Sequence, residues 1–217
     1  MANPPQGPNP RDPQAALDAR FYDDLDESLA EAWRLLARGA ADRRSAMHVA
    51  QLASVGLDGG ARLRSVVLRG AERAARRLRV HTDARSTKAE EIAREARVEL
   101  CAYDPRAKIQ VRARGTAVVA ADGPEADAAW AGSSPGSRLC YRALPPGAAL
   151  NAPREGDPTA AMRAAPLEAG RENFRAVLLT VDRVEWLYLA ARGHRRAVFD
   201  WRGQVRGEGW TGRWVAP

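Results

Sequence analysis

The spacing of apolar residues changes along the chain, and each change predicts an element. Leu25, Leu29, Trp33 and Leu36 recur at helical spacing and predict a helix over about 24–38, closed by Gly39. From Ser45 the period becomes two. Residues 47–55 and 63–69 read as strands on either side of Leu57-Asp58-Gly59-Gly60, a hairpin signal. A third strand is expected over 78–82. Residues 87–95 read as a short helix opened by Thr87-Lys88-Ala89-Glu90, the spacing of a capping box. Strands follow over 98–103 and 108–120, joined through Asp104-Pro105-Arg106, then a helix over 125–131. Strands over 174–181, 184–189, 194–201 and 209–215 close the chain, with a turn at Gly203.

Two stretches carry no such pattern. Residues 1–20 hold five prolines and read as a disordered or loosely docked arm. Residues 132–172 are rich in Gly, Pro, Ser and Ala and read as a long loop with short helical pieces inside a single domain spanning 21–217. Seven or eight short strands in hairpin order, with three helices and no regular βαβ alternation, predict a mainly β fold: an antiparallel barrel with flanking helices. No G-x-G-x-x-G follows a strand, which disfavours a Rossmann fold.

Composition narrows the function. The chain has 217 residues, 45% hydrophobic and 28% charged, enough to bury a core without disulfides. No apolar run approaches the ~18 residues of a membrane span, and no basic start leads into an apolar core, so a cytoplasmic protein off the membrane is expected. Cys101 and Cys140 form no C-x-x-C pair, and His48, His81 and His194 stand apart, so no metal site is expected. The net charge of +7 suggests nucleic acid, but the arginines are spread along the chain and no aromatic residues interleave with them as a binding face requires. Only two of the 34 basic residues are lysines, Lys88 and Lys108, so each is an exception to the chain's habit.

Four clusters could carry chemistry. Arg64-Ser65-Val66-Val67-Leu68-Arg69 is a strand with a cation at each end. His81-Thr82-Asp83-Ala84-Arg85-Ser86-Thr87-Lys88 brings hydroxyls and a lysine to a helix N-terminus, the local chemistry a phosphate needs, although an ordinary helix cap reads the same way. In Lys108-Ile109-Gln110-Val111-Arg112-Ala113-Arg114, alternation puts Gln110 on the polar face, where its amide can both donate and accept. In the run from Trp186 to Arg196, Arg192, His194 and Arg196 would share one face of a strand, either as an exposed basic strand or as a clamp on an anion or a flat ring.

Taken together and in order, these clusters resemble the pyridoxamine 5′-phosphate oxidase-like flavoproteins, the FMN-binding split barrels. RSVVLR at 64–69, T-x-x-x-S-x-K at 82–88, Gln110, W-x5-R-x-H-x-R at 186–196 and the closing Arg213-Trp214-Val215-Ala216-Pro217 carry the likeness. It implies an antiparallel split β-barrel and a homodimer with FMN at the subunit interface. Arg64, Ser86 and Lys88 would hold the phosphate and ribityl chain. Val66, Val67, His81 and Thr82 would line the isoalloxazine, with Arg69 at the end of the motif and Gln110 bonded to the ring. Trp186 and Arg196 would come from the second subunit. Arg69, Trp130, Ser137, Arg192 and His194 fall where the oxidases hold a small-molecule substrate, and Arg192 and His194 would orient it for catalysis. The family's tyrosine is Trp130 here, its arginine falls in Gly132-Ser133-Ser134, its lysine is Arg69, and an arginine of the flavin motif is Thr87. The resemblance therefore implies an FMN-dependent oxidoreductase, with pyridoxamine or pyridoxine 5′-phosphate as the leading substrate. An FMN carrier or sensor, or a reductase of another substrate, is the alternative.

Overall fold

The computed structural model describes residues 20–203 and 209–217. The expectation for the N-terminal arm therefore lies, apart from Arg20, outside the described residues. Eight antiparallel strands form one sheet: β1 Val49–Val55, β2 Ala61–Glu72, β3 Arg77–Asp83, β4 Arg97–Asp104, β5 Ile109–Ala120, β6 Phe174–Tyr188, β7 Arg195–Arg202 and β8 Gly209–Val215. The order is β3-β2-β1-β4-β5-β6-β7-β8, and β3 also pairs with β6. That pairing closes β1 to β6 into a six-stranded barrel, with β7 and β8 continuing outward along the distal half of β6. Closure leaves no free edge on β3 and one buried interior for alternate residues.

Helix α1, Leu25–Ala41, lies against the barrel. Asp24 caps it by accepting from the Glu27 amide at 2.9 Å, and Leu29, Trp33, Leu35 and Leu36 are buried. It runs past Gly39, which does not end it. A Cβ at Gly39 would stand 2.7 Å from the Cβ of Met47, so the glycine lets the turn over Ala46–His48 pack against the helix. The barrel interior holds Leu52, Leu68, Leu78, Leu100, Val111, Val184 and Trp186.

The two strands expected over 174–189 are one 15-residue strand. The polar pair Asp182-Arg183 read as a break. Instead the register to β5 shifts between Arg114 and Gly115, a bulge that absorbs the extra residue. A Cβ at Gly115 would lie 1.9 Å from the carbonyl oxygen of Thr180, so only glycine permits this approach. Lys108 is not in β5. It sits before the strand with a φ of 56°, completing the turn out of β4.

Helix α2 is Thr87–Arg94 and helix α3 is Pro124–Ala131. Within 132–172 the chain forms two short helices, α4 Pro135–Arg138 and α5 Ala160–Ala164, with 3-10 turns between. This segment and α3 cover the outer face of β6 around a small second core of Ala126, Ala129, Trp130, Tyr141, Phe174, Ala176 and Leu178. No helix among the described residues is long and apolar enough to cross a membrane.

Candidate functional site

Alternation along β2 sorts the first motif by face. Val66 and Leu68 are buried, Ser65 and Arg69 are exposed, and Val67 is half-buried. Arg64 shares the inward row, yet its guanidinium needs partners. It donates to the Ser54 hydroxyl, to the Leu52 carbonyl at 3.3 Å and to the Glu91 carboxylate, which also accepts from Ser54 at 2.7 Å. Glu91 is buried on α2, and Lys88 lies one turn before it on the same helix. Burial and the neighbouring Arg64 push the Lys88 ammonium below its usual value, while Glu91 pulls it back. Arg62, paired with Asp58 at 2.7 Å, also comes within 3.9 Å of Glu91, so three cations surround this carboxylate.

The helix start completes this corner. Ser86, not Thr87, is the N-cap: its hydroxyl accepts from the Ala89 amide at 3.3 Å and donates to the Asp83 carbonyl at 2.7 Å. The capping box expected at Thr87 and Glu90 does not form, because the Ser86 oxygen already satisfies that turn. Thr82, buried at the end of β3, shares a 2.9 Å bond with Ser86. A helix N-terminus, Arg64 and Lys88 together present excess positive charge, which suits an anion.

Beside it, Arg77, Arg79 and His81 alternate along the outer face of β3. The His81 ring packs edge-on against Phe174, 4.8 Å between centroids, and its Nε2 is buried without a partner. Burial first, then the charges of Arg79 and Arg69, pull its pKa down to about 4, so the imidazole is neutral near pH 7. Tyr141 packs on the other side of Phe174 at 5.2 Å, and burial pushes its phenol up.

The remaining expected residues lie elsewhere. Trp130 is buried, donates its Nε1 to Glu168 at 2.6 Å and is covered by the Arg138 guanidinium at 4.6 Å. Ser137 shares a 2.9 Å bond with Ser134. Gln110 stands half-buried on the outer face of β5, opposite Tyr103 and Leu187. Arg196 pairs with Glu185 at 2.8 Å, and Glu185 also meets Arg112 and Arg183, each at 3.3 Å. Burial opposes the charge on Glu185, but these arginines hold its carboxyl below the usual range. Trp186 is fully buried in its own protomer, with Phe21 at 5.7 Å and Trp214 at 6.4 Å.

Arg192, His194 and Arg196 do not share a strand face. The strand β7 begins at Arg195, and Gly193 has a φ of 134°, which breaks the extended path. Tyr22 holds the turn instead. Its hydroxyl donates to the Gly193 carbonyl at 2.7 Å, and the Arg192 guanidinium lies 3.5 Å above its ring. This turn is far from the β3 corner. His81 pairs with Ala176, and Arg196 pairs with Leu187, eleven residues further along β6. Along the strand that is a path of roughly 35 Å, an upper bound on the separation because β6 coils around the barrel. One protomer does not bring the two together.

Sequence reasoning missed Glu91, Arg79, Tyr141 and Arg138. The alternation Arg77, Arg79, His81 was a readable signal for Arg79. Nothing in the local pattern marks Tyr141 or Glu91, which the fold brings in from other segments.

A family model described as pyridoxamine 5′-phosphate oxidase, FMN-binding domain, matches residues 30–121. The chain is 30% identical over 196 residues to pyridoxine/pyridoxamine 5′-phosphate oxidase 2 of Arabidopsis thaliana, covering 85% of this chain and 96% of the plant protein. Among solved structures, a pyridoxamine 5′-phosphate oxidase-related, FMN-binding protein of Nostoc punctiforme superimposes with a TM-score of 0.68 at 25% identity, covering 88% of this chain and 96% of the other. PhzG of Burkholderia lata, solved in complex with tetrahydrophenazine-1-carboxylic acid, shares the fold with a TM-score of 0.72 at 20% identity, covering 91% and 96%.

Proposed function

The chain belongs to the pyridoxamine 5′-phosphate oxidase-like family of FMN-binding split barrels, and on that footing we propose that it is an FMN-dependent oxidoreductase of a small, flat, anionic substrate, working as a cytoplasmic homodimer. The observation that carries this reading is the corner of Arg64, Lys88 and the α2 N-terminus. Arg64 and Lys88 beside Glu91, with Arg62 shared between Glu91 and Asp58, leave net positive charge where a phosphate dianion would be held. That corner fits FMN. Arg64, Ser86 and Lys88 would hold the phosphate, Val66, Val67 and Thr82 would line the ring through β2 and β3, and Gln110, which pairs with Leu187 beside Arg196, would bond the ring's amide edge from the same side as Arg196. Bound flavin supplies the hydride-accepting chemistry.

The chain's own residues do the rest. Arg69 attracts the anionic group of the substrate. His81, held neutral, offers a ring nitrogen without adding charge. Arg192 and His194 orient the substrate, and the distance along β6 supports a reading in which they and Arg196 reach the β3 corner from the second protomer. The exposed outer face around Val67 carries Val49 (53% exposed), Leu63 (68%) and Tyr103 (43%), an apolar surface suited to that pairing. Trp186 would contact the flavin only by turning out of its own core.

Pyridoxamine or pyridoxine 5′-phosphate is the leading substrate. The burial of Trp130 and the engagement of its Nε1 by Glu168 favour a second reading, FMN binding without B6 oxidation. The test begins with the absorption spectrum of the purified protein and mass identification of what heat releases. About one FMN per chain is expected, and Lys88→Ala should weaken FMN affinity at least tenfold. A colourless protein that takes up no added FMN would overturn the flavin reading. FMN without turnover of either B6 phosphate would select the second one.

A further inference from the structure

The outer face of the sheet across β4 to β8 carries a chain of charges with Glu185 at its centre. Gln110, Leu187 and Arg196 stand opposite one another on β5, β6 and β7, and the next residues on that face are Arg112 on β5 and Glu185 on β6. Alternation thus puts Glu185 diagonally across the ladder from Arg196, and its carboxylate accepts from the Arg196 guanidinium at 2.8 Å. It also meets Arg112 and Arg183, each at 3.3 Å. The three arginines do not depend on it equally. Arg112 is paired with Glu99 as well, and Arg183 with Asp200 at 2.9 Å. Asp200 in turn holds Arg213 at 2.6 Å. Among the described residues, Glu185 is the single acid within ion-pair distance of Arg196.

That asymmetry gives Glu185 a specific effect. Without its charge, Arg112 and Arg183 keep their other partners, and Arg196 alone is released. A released arginine samples many rotamers, and ordering it on a ligand costs conformational entropy. The guanidiniums of Arg112 and Arg183 would also repel it from its present place. The Glu185 side chain is only 16% exposed, so its pairing with Arg196 is screened less than a surface ion pair. The bond engages one terminal nitrogen of Arg196 and leaves its other N–H groups for a ligand. We propose that Glu185 is the positioning residue that holds Arg196 ready for FMN, so that the entropy of ordering this side chain is lost on folding and not on flavin binding. This role rests on the FMN reading above, in which Arg196 and Gln110 approach the flavin from one side. Glu185 acts through Arg196 and is not itself a flavin ligand.

The test follows FMN leaving the loaded full-length protein, read as the rise in free-flavin fluorescence after dilution. Glu185→Gln should speed release about tenfold or more, and Glu185→Asp should fall between it and the wild type. Asp200→Asn loosens Arg183 and Arg213 but leaves the Glu185–Arg196 pair, so its release rate should stay within about twofold of the wild type. Arg196→Gln should also speed release about tenfold or more. Adding Glu185→Gln to it should change the rate by less than about twofold further, because the pair acts as a unit. A general weakening of the sheet would instead speed release in the Arg196→Gln background as well, and would overturn the proposal. So would a Glu185→Gln rate equal to or slower than the wild type, an Asp200→Asn rate as fast as that of Glu185→Gln, or an unchanged rate in Arg196→Gln. Should Glu185→Gln not fold, Glu185→Asp carries the same comparison with and without Arg196→Gln. A wild type that holds no FMN overturns the flavin reading and this role with it, and the absorption spectrum shows that before any variant is compared.

Discussion

The barrel and the segment over 132–172 are held by different forces. The barrel is closed by continuous ladders and filled by fully buried aliphatic and aromatic side chains such as Leu68, Val111 and Trp186. The segment has few ladder bonds and few large apolar residues. It is tied by arginines to main-chain carbonyls. Arg138 donates to the carbonyls of Trp130, Ala131 and Leu167, and Arg142 to those of Met162, Ala165, Pro166 and Ala169. Arg85, anchored on Asp83, reaches Ala143. Apolar burial is cooperative across a whole core, whereas directed bonds to single carbonyls can be lost locally. The comparison teaches that the barrel is held by its core as a whole, whereas the position of the outer segment depends on a handful of guanidinium groups.

The largest expected effect tests the barrel. Trp186→Ala removes a fully buried indole and should cost about 3–5 kcal/mol, lowering the melting temperature by roughly 10 °C in a single global transition. A loss confined to one segment would break the comparison.

His81 sits on the seam between the two regions. Its folded pKa of about 4 lies below the ordinary 6.5, so the unfolded chain binds more protons between those values. The associated stability is complete above pH 6.5 and is lost as pH falls toward 4, by about 3 kcal/mol. Denaturant titrations across that window should show the loss, and His81→Gln should flatten it. An unchanged slope in the variant would remove His81 from the account.

Arg138→Met gives the smallest effect and the sharpest contrast. It keeps most of the stem and deletes the donors, costing about 2 kcal/mol within the segment. Hydrogen exchange should rise over 132–172, while amides of β4 and β5 keep their protection. Equal loosening of both regions would show that they unfold as one.

Much of the fold was legible in the sequence because the signals were local. Period-two alternation located the strands to within a few residues, and Gly209–Val215 was read with its bounds intact. The helical spacing of Leu25, Leu29, Trp33 and Leu36 located α1. Misreadings arose where a distant contact overrode a local one. Gly39 read as a stop, and Met47 made it a packing point. Asp182-Arg183 read as a break, and the close approach of Gly115 turned it into a bulge. Arg192 and His194 read as strand residues, and Tyr22 with Gly193 drew them into a turn.

The candidate site divides in the same way. Arg64, Ser86 and Lys88 were visible from residue type and spacing, since a strand end and a helix start are local features and the scarcity of lysine marked Lys88. The carboxylate that positions Arg64, the three arginines around Glu185 and the neutrality of His81 were not visible. Pairing, burial and charge balance depend on which segments meet, and here those segments lie far apart in the chain. The sequence alone determined the antiparallel strands, the candidate cations Arg64 and Lys88 and the family, while the β1–β4 pairing and the closure of β3 on β6 came only from the structure. Only the tertiary structure decided which cations meet an acidic partner and which do not, because electrostatic energy depends on distance and burial in space.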